Sequence, residues 1–329
     1  MTRRACVVGS GAREHALALA LSRSASVLVT PGNDAMHGQS IQVSDLPATA
    51  IDADLYVIGP EQPLVDGLAD ELRDQGRLVV GPGRDAAQLE GSKAFMKDVL
   101  ASAGVPTARY GAFDDADRAV AFLRELSGTV VVKTDGLASG KGVLVTEDLD
   151  EAEVDVRAKL SGASFGDAGR RIVIEEGLKG EEVTLQVLVD GNSAEPMAPA
   201  RDYKRLHDDD GGPNTGGMGA VSPVASVDDA LVKTLMDRAV APTLAELRQR
   251  GIDYRGVLYT GVMITGEGPS VLEFNVRLGD PEAEVILPRL ADDPFDLFAS
   301  VASGTLSGAP RFSSDAAVTV VLAAEGYPA

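Results

Sequence analysis

Four segments carry side chains whose types and spacing could handle a phosphorylated nucleotide. The first is Lys133-Thr134-Asp135-Gly136-Leu137-Ala138-Ser139-Gly140-Lys141-Gly142. Its glycines would let backbone N–H groups approach phosphate oxygens, and its two lysines would neutralise them. It is not a P-loop, because only three residues separate Gly136 from Gly140 and Gly142 stands where Ser or Thr is required. A plain β-hairpin with solvated lysines is the alternative. The second runs from Val271 to Glu282. In an extended strand Glu273, Asn275 and Arg277 fall on one face, and Leu272, Phe274 and Val276 on the other. A carboxylate beside an amide oxygen suits a hard cation such as Mg²⁺ that keeps waters and binds phosphate. An arginine one step further could hold a phosphoryl group in transfer. A solvent-facing polar edge is the alternative, though Asp280 and Glu282 crowd the same point.

The third segment, Gly9-Ser10-Gly11, precedes a helix whose exposed N–H groups and dipole would favour an anion. It is a poor dinucleotide fingerprint: Glu14 replaces the third glycine, and the second strand ends at Thr30 where an acidic ribose ligand belongs. A tight turn that needs glycine and nothing more is the alternative. The fourth is Glu175-Glu176-Gly177-Leu178, followed by Gly180-Glu181-Glu182. A backbone hinge can read adenine through its own N–H and C=O groups, and a nearby carboxylate can hold ribose hydroxyls. Surface acids explain that segment equally well.

These residues need a scaffold, and the pattern supplies an α/β one. With 329 residues, 44% of them hydrophobic, the chain can bury two or three cores. Short apolar strands, Ala5 to Val8, Val27 to Val29, Leu55 to Ile58 and Leu78 to Val80, each run into a Gly/Pro loop. That arrangement predicts a Rossmann-like parallel sheet with a ligand crevice along its carboxyl edge, over residues 1–91. Residues 92–111 read as a connector to a central domain, and 112–177 as a small α/β module. Residues 178–305 carry three long strands and a helix from about Val227 to Arg250. Residues 306–329 read as the start of an incomplete C-terminal domain, with one strand from about Ala316 to Ala324. The stretch Asp208 to Gly217 is expected to be the least structured, a mobile functional loop.

Composition narrows the classes. Fifty acidic residues against thirty basic give a net charge of −20, the reverse of a nucleic-acid-binding footprint. No apolar run approaches the roughly 20 residues of a membrane span. The N-terminus lacks the long apolar stretch of a secretory signal, and a single cysteine, Cys6, allows no internal disulfide, so the cytoplasm is expected. The other isolated polar residues read blandly: Cys6 as buried, His37 and His207 as surface residues.

In this order the segments resemble those of the ATP-grasp ligases, and within them the glycinamide ribonucleotide synthetase (phosphoribosylamine–glycine ligase) family. The most specific matches are Gly212-Pro213-Asn214-Thr215-Gly216-Gly217-Met218-Gly219 and Arg277-Leu278-Gly279-Asp280-Pro281-Glu282. Gly11-Ala12-Arg13-Glu14-His15-Ala16, Pro31-Gly32-Asn33, Gly59-Pro60-Glu61, Gly91-Ser92-Lys93 and Phe165-Gly166-Asp167-Ala168-Gly169 add to them. The resemblance implies a two-part ATP-grasp fold behind the N-terminal domain. It also implies that ATP phosphorylates glycine and that 5-phosphoribosylamine attacks the resulting acyl phosphate. On it, Lys93, Lys133, Gly136, Ser139, Gly140, Lys141 and Gly142 would hold the ATP phosphates. Glu175, Glu176 and Leu178 would form the adenine hinge, and Glu182 (or Glu181) would hold the ribose. Glu273 and Asn275 would bind Mg²⁺ or Mn²⁺, while Arg277, Lys133 and Asp202 would be catalytic. Gly11, Arg13, Glu14, His15, Asn33, Glu61, Asn214, Thr215, Gly216 and Asp280 would shape the substrate sites. The partners would be these small molecules, with a homo-oligomer left open.

The sequence departs from the family pattern in carrying only the first strand of the β-rich C-terminal domain. Ser10 and Thr134 also stand where other small residues are common, and the strand Gly256 to Ile264 offers no second metal carboxylate. Two other readings therefore stand beside the first: a nucleotide-binding but inactive fragment, and an ATP-grasp ligase for another carboxylate and amine.

Overall fold

The computed structural model describes residues 3–137, 142–162, 170–209 and 211–327. Ser139, Gly140 and Lys141, and the Phe165 to Gly169 motif, lie outside the described residues.

The N-terminal unit runs β1 (Arg4–Gly9), α1 (Ala12–Leu21), β2 (Ser26–Pro31), β3 (Ile41–Val43), β4 (Leu55–Ile58), α2 (Glu61–Asp66), α3 (Leu68–Asp74), β5 (Val79–Val80) and α4 (Arg84–Gly91). Its five strands are all parallel, in the order β3-β2-β1-β4-β5. Because helices cover both faces, the strands read as unbroken apolar runs, and β4 is buried throughout. The strand order reverses at β1, so the Gly9 to Gly11 turn and the β4 exit at Gly59 open onto one crevice. Strand β3, three residues long, is too short to leave a pattern in sequence.

Helix α5 (Lys93–Ala103) leads to a small unit of β6 (Tyr110–Phe113), α6 (Ala116–Leu123), β7 (Val130–Thr134), β8 (Val143–Thr146), α7 (Leu149–Leu160) and β9 (Ile172–Glu176). The sheet is antiparallel, in the order β6-β9-β7-β8. Alternation divides it cleanly. Val130, Val132, Ile172 and Ile174 pack with Leu144 against α6 and α7 in a core of their own. Val131, Lys133, Val143, Val145 and Glu175 share the opposite face by register. Both helices start on an aspartate whose carboxylate accepts backbone N–H groups, Asp115 for α6 and Asp148 for α7.

The remainder holds β10 (Glu181–Asp190), β11 (Ala194–Pro196), β12 (Arg201–Asp202), β13 (Arg205–His207), β14 (Gly211–Asn214), β15 (Gly219–Ser222), α8 (Asp229–Leu235), α9 (Ala241–Gln249), β16 (Arg255–Thr265), β17 (Gly268–Asn275), α10 (Ala283–Ile286), α11 (Pro294–Ser303) and β18 (Ala317–Val320). Its main sheet is antiparallel, β11-β10-β16-β17. A second, small sheet orders β12-β15-β18. Two extended cores join this region to the N-terminal unit. One gathers Val8 and Tyr56 with Leu185 and Leu258, the other Leu17 and Val57 with Val257 and Phe298.

The helix expected from Val227 to Arg250 is present as one continuous run, α8, a π-helical turn over Met236–Val240 and α9, from Asp229 to Gln249. Two expectations are corrected. The stretch expected to be least structured is partly ordered: Gly211–Asn214 pairs with Arg205–His207 as a hairpin. Strand β17 does not alternate cleanly, because its pairing with β16 slips between Gly261 and Val262. That irregularity puts Val271, Phe274 and Val276 in the core and turns Leu272 out of it.

Candidate active site

Lys133 sits near the end of β7, buried, its ammonium 2.8 Å from Glu175 Oε1. Glu175 is itself buried between two lysines, with Lys97 Nζ 3.0 Å from its other oxygen. Burial would raise the Glu175 carboxyl, but Lys133 and Lys97 outweigh it and hold the group below the usual carboxylate range. The sequence reading gave Glu175 to the adenine hinge. Its side chain instead faces the lysines, which leaves only its backbone for a hinge. Lys93 opens α5, and its ammonium donates to the Gly136 carbonyl at 3.1 Å. Burial, then the charge of Lys133, lowers its pKa. Asp135 ties this loop to the helix by accepting from Ala94 N (2.7 Å) and from Ser92 Oγ (3.1 Å). Val143 and Val145, exposed on the cleft side of the same sheet, supply an apolar surface fit for a flat base. Glu176 and Leu178 line an open cavity of about 350 Å³ with Gly177, Thr107, Thr265 and Ser270.

Across from this sheet stand Glu273 and Asn275 on β17, both half-buried. Lys204, Lys133, Lys93 and Arg277 surround Glu273 and keep it ionised against the effect of burial. Asn275 Oδ1 accepts from Arg277 Nη2 at 3.1 Å. The guanidinium of Arg277 is clamped: Nη2 donates to Glu90 Oε1 (2.9 Å), Nε to Glu61 Oε2 (3.3 Å) and Nη1 to the Leu278 carbonyl (3.3 Å). Burial opposes its charge, but Glu90 and Glu61 prevail and raise its pKa. Most of its donors are therefore spent on protein partners. No group of three or more His, Cys, Asp or Glu side chains placed to hold a metal exists among the described residues. The residues still fit a divalent ion, since one ionised carboxylate and one amide oxygen suit Mg²⁺ completed by water and phosphate oxygens.

The chain segment after Arg277 enters the crevice of the N-terminal unit. Asp280 Oδ2 accepts from Arg13 N at the start of α1 (3.3 Å), and Arg13 Nη1 donates to the Leu278 carbonyl (3.1 Å). Asn33 donates to the Ser10 carbonyl at 2.8 Å, which gathers Gly11 and Asn33 at one edge. Arg13 and Glu14, expected as substrate contacts, are buried and turned inward. Glu14 accepts from Gly11 N (2.6 Å) and Arg13 Nε (2.7 Å), and it fills the space where a Cβ on Gly59 would stand. These two therefore build the turn; His15 beside them is half-buried.

The hairpin closes the far side. Thr215 N and Oγ1 both donate to the Lys204 carbonyl (2.7 and 2.9 Å), and Gly216 N donates to Tyr327 Oη (3.3 Å). Gly217 has φ +127°, and a Cβ there would overlap the Pro281 ring. Asn214 is exposed. Lys204 donates to Glu182 Oε1 at 2.5 Å, so the carboxylate expected at a ribose is paired here. Burial would lower Lys204, but Glu273, Asp202 and Glu182 raise it. Asp202, half-buried beside them, is raised by burial and by Glu182 and Glu273 against the pull of Lys204. Burial, then Asp202, pushes the Glu282 carboxyl up to about 7.

Sequence reasoning missed Lys97, Glu90, Lys204, Val143 and Val145. The two valines had a signal, since period-two alternation puts them on the Lys133 face. The three charged residues lie on other elements and meet the site only through folding.

Two family models match the chain: the N domain of phosphoribosylglycinamide synthetase over residues 3–90, and its ATP-grasp (A) domain over residues 91–283. The phosphoribosylamine–glycine ligases of Escherichia coli and Salmonella typhimurium are each 46% identical, in matches covering 98% of this chain and 79% of theirs. The crystal structure of phosphoribosylamine–glycine ligase from Thermotoga maritima superposes with a TM-score of 0.88 at 33% identity, covering 99% of this chain and 81% of that one. The N5-carboxyaminoimidazole synthetase of Staphylococcus aureus, solved with ADP, gives a TM-score of 0.69 over 98% of this chain and 83% of its own. At 16% identity it shares the fold alone.

Proposed function

The chain belongs to the phosphoribosylglycinamide synthetase family, and we propose that it joins glycine to 5-phosphoribosylamine at the expense of ATP. The glycine carboxylate attacks the γ-phosphorus of ATP, releasing ADP and leaving a glycyl phosphate. The amine nitrogen of phosphoribosylamine then attacks the acyl carbon and loses a proton, and phosphate departs. The observation that carries this reading is the continuous segment Glu273 to Asp280. One end faces Lys93 and Lys133, and the other meets the crevice at Arg13 and Gly11.

In this proposal Lys93 and Lys133 neutralise the ATP phosphates, with the backbone of Gly136 and Gly142 close to them. The backbone of Glu175 to Leu178 reads adenine over Val143 and Val145, with Glu182 near the ribose. Glu273 and Asn275 would hold the divalent ion, Mg²⁺ or Mn²⁺, which when bound supplies charge stabilisation for phosphoryl oxygens. Arg277 adds a fixed positive charge, its place set by Glu61 and Glu90. Asp202 and the Asn214 to Gly216 turn position glycine and the amine, while Gly11, Asn33 and Asp280 border the phosphoribosyl site. No side-chain nucleophile is needed, because positioning and charge do the catalysis. The compartment we infer is the cytoplasm, from a lone buried thiol, Cys6, in a chain without disulfides.

The test is ADP release by the purified chain given ATP, Mg²⁺, glycine and freshly generated phosphoribosylamine, each omitted in turn. Full release that needs all four supports the reading. ATP binding without glycine-dependent release contradicts it.

A further inference from the structure

Lys97 is a charged side chain with no exposed surface. It stands on α5, its ammonium 3.0 Å from Glu175 Oε2. The same ammonium donates to Thr107 Oγ1 at 2.7 Å and lies 5.3 Å from the centroid of the Tyr110 ring. Tyr110 Oη donates back to the Lys97 carbonyl (3.0 Å), and Thr107 Oγ1 donates to the Val271 carbonyl on β17 (2.7 Å). One ammonium thus joins the connector helix, the small sheet and the strand that carries Glu273.

A buried ammonium is costly, and a methionine would fill the same space without that cost. What lysine adds there is charge. Glu175 touches Lys133 with one oxygen and Lys97 with the other. Were Lys97 absent, Glu175 and Lys133 would cancel each other beside the phosphates. With it, two ammoniums share one carboxylate and the group keeps a net positive charge.

We propose that Lys97 is a positioning residue for ATP: by taking half of the Glu175 carboxylate it keeps the charge of Lys133 available to the phosphates and fixes where that ammonium points. The inference rests on ATP binding at Lys93 and Lys133. The titratable groups around Lys97 are Glu175 on β9, Lys133 on β7 and Tyr110 on β6. Burial, opposed by Glu175 and reinforced by Lys133, brings Lys97 down to about 8. Glu175 is lowered and Tyr110 raised, so both titrate outside that window. Lys93 is lowered as well, so the contribution of Lys97 is read by difference. Because the charged form favours ATP, the contribution of Lys97 is present below about 8 and lost as pH rises through it.

The experiment is calorimetric titration of wild type, K97M, E175Q and K97M/E175Q with a non-hydrolysable ATP analogue and Mg²⁺, at pH 7 and pH 9. K97M is expected to bind about tenfold more weakly at pH 7, the size of coupling usual within one ion-pair network, and the gap should shrink at pH 9. The double variant, which removes the carboxylate as well, should return to within about threefold of wild type. Unchanged binding by K97M, or a double variant as weak as K97M, overturns the proposal. Should K97M fail to fold, E175Q and K97M/E175Q carry the test. The double variant keeps the single net positive charge of wild type and should bind within about threefold of it, no tighter than E175Q; a double variant weaker than that overturns the proposal. A wild-type chain that binds no analogue would instead overturn the ATP reading itself.

Discussion

Glu284→Gln should stabilise the protein at pH 8 and leave it unchanged near pH 4.5. Glu284 lies on α10 with both carboxyl oxygens buried and without a hydrogen-bond partner among the described residues. Burial, then the neighbouring Asp280, pushes its carboxyl from an ordinary 4.5 up to about 7. Below 4.5 the group is neutral in both states and costs nothing. Between 4.5 and 7 the unfolded chain ionises while the folded one holds its proton, so stability falls as pH rises. Above that range the penalty levels off at about 3 kcal/mol, from about 1.4 kcal/mol per pKa unit. Glutamine cannot ionise, so the variant escapes the slope. Thermal unfolding of both proteins at pH 5 and pH 8 measures this, and about 3 kcal/mol corresponds to roughly 4 °C in midpoint for a chain of 329 residues. Glu282, also raised to about 7, contributes its slope to both proteins and largely cancels in the difference. A midpoint difference that is the same at the two pH values would refute the reasoning.

Three other outcomes follow from the site. Glu273→Gln should abolish turnover while its far-ultraviolet circular dichroism and melting curve stay those of a folded protein; unchanged ADP release would remove Glu273 from the mechanism. Gly217→Ala should cost about 1–3 kcal/mol, because it meets both a positive φ and the Pro281 ring. Urea unfolding checks that, and a variant as stable as wild type would show that the hairpin adjusts freely. Arg277→Lys keeps a charge but loses the fork that Glu61 and Glu90 hold. It should lower kcat more than it raises the KM for ATP, and a change in KM alone would speak against it.

Much of this was legible in the residues themselves. The Gly9 and Gly59 exits from a parallel sheet, the face of β7 carrying Lys133, and the approach of Glu273 to Asn275 all follow from period-two alternation and glycine chemistry. What sequence could not give was the third dimension of the charges. Glu90 reaches Arg277 from α4, Lys97 reaches Glu175 from α5, and Lys204, just before the hairpin, reaches Glu182 on β10. Each pair is distant along the chain and marked by no local pattern. Glu14 shows the converse: it stands in a motif that suggests a ligand contact, yet folding turns its carboxylate into the protein's own turn. The slip in β17 was hidden for a simpler reason. A single extra residue reverses alternation, and nothing in Val271-Leu272-Glu273 announces it.

The most direct test of the acyl-phosphate reaction is to follow oxygen atoms. Glycine labelled with heavy oxygen in its carboxylate should, in one turnover with ATP and phosphoribosylamine, transfer one labelled oxygen to the released phosphate. Phosphate that carries no label while glycinamide ribonucleotide accumulates would contradict activation of the carboxylate by phosphorylation.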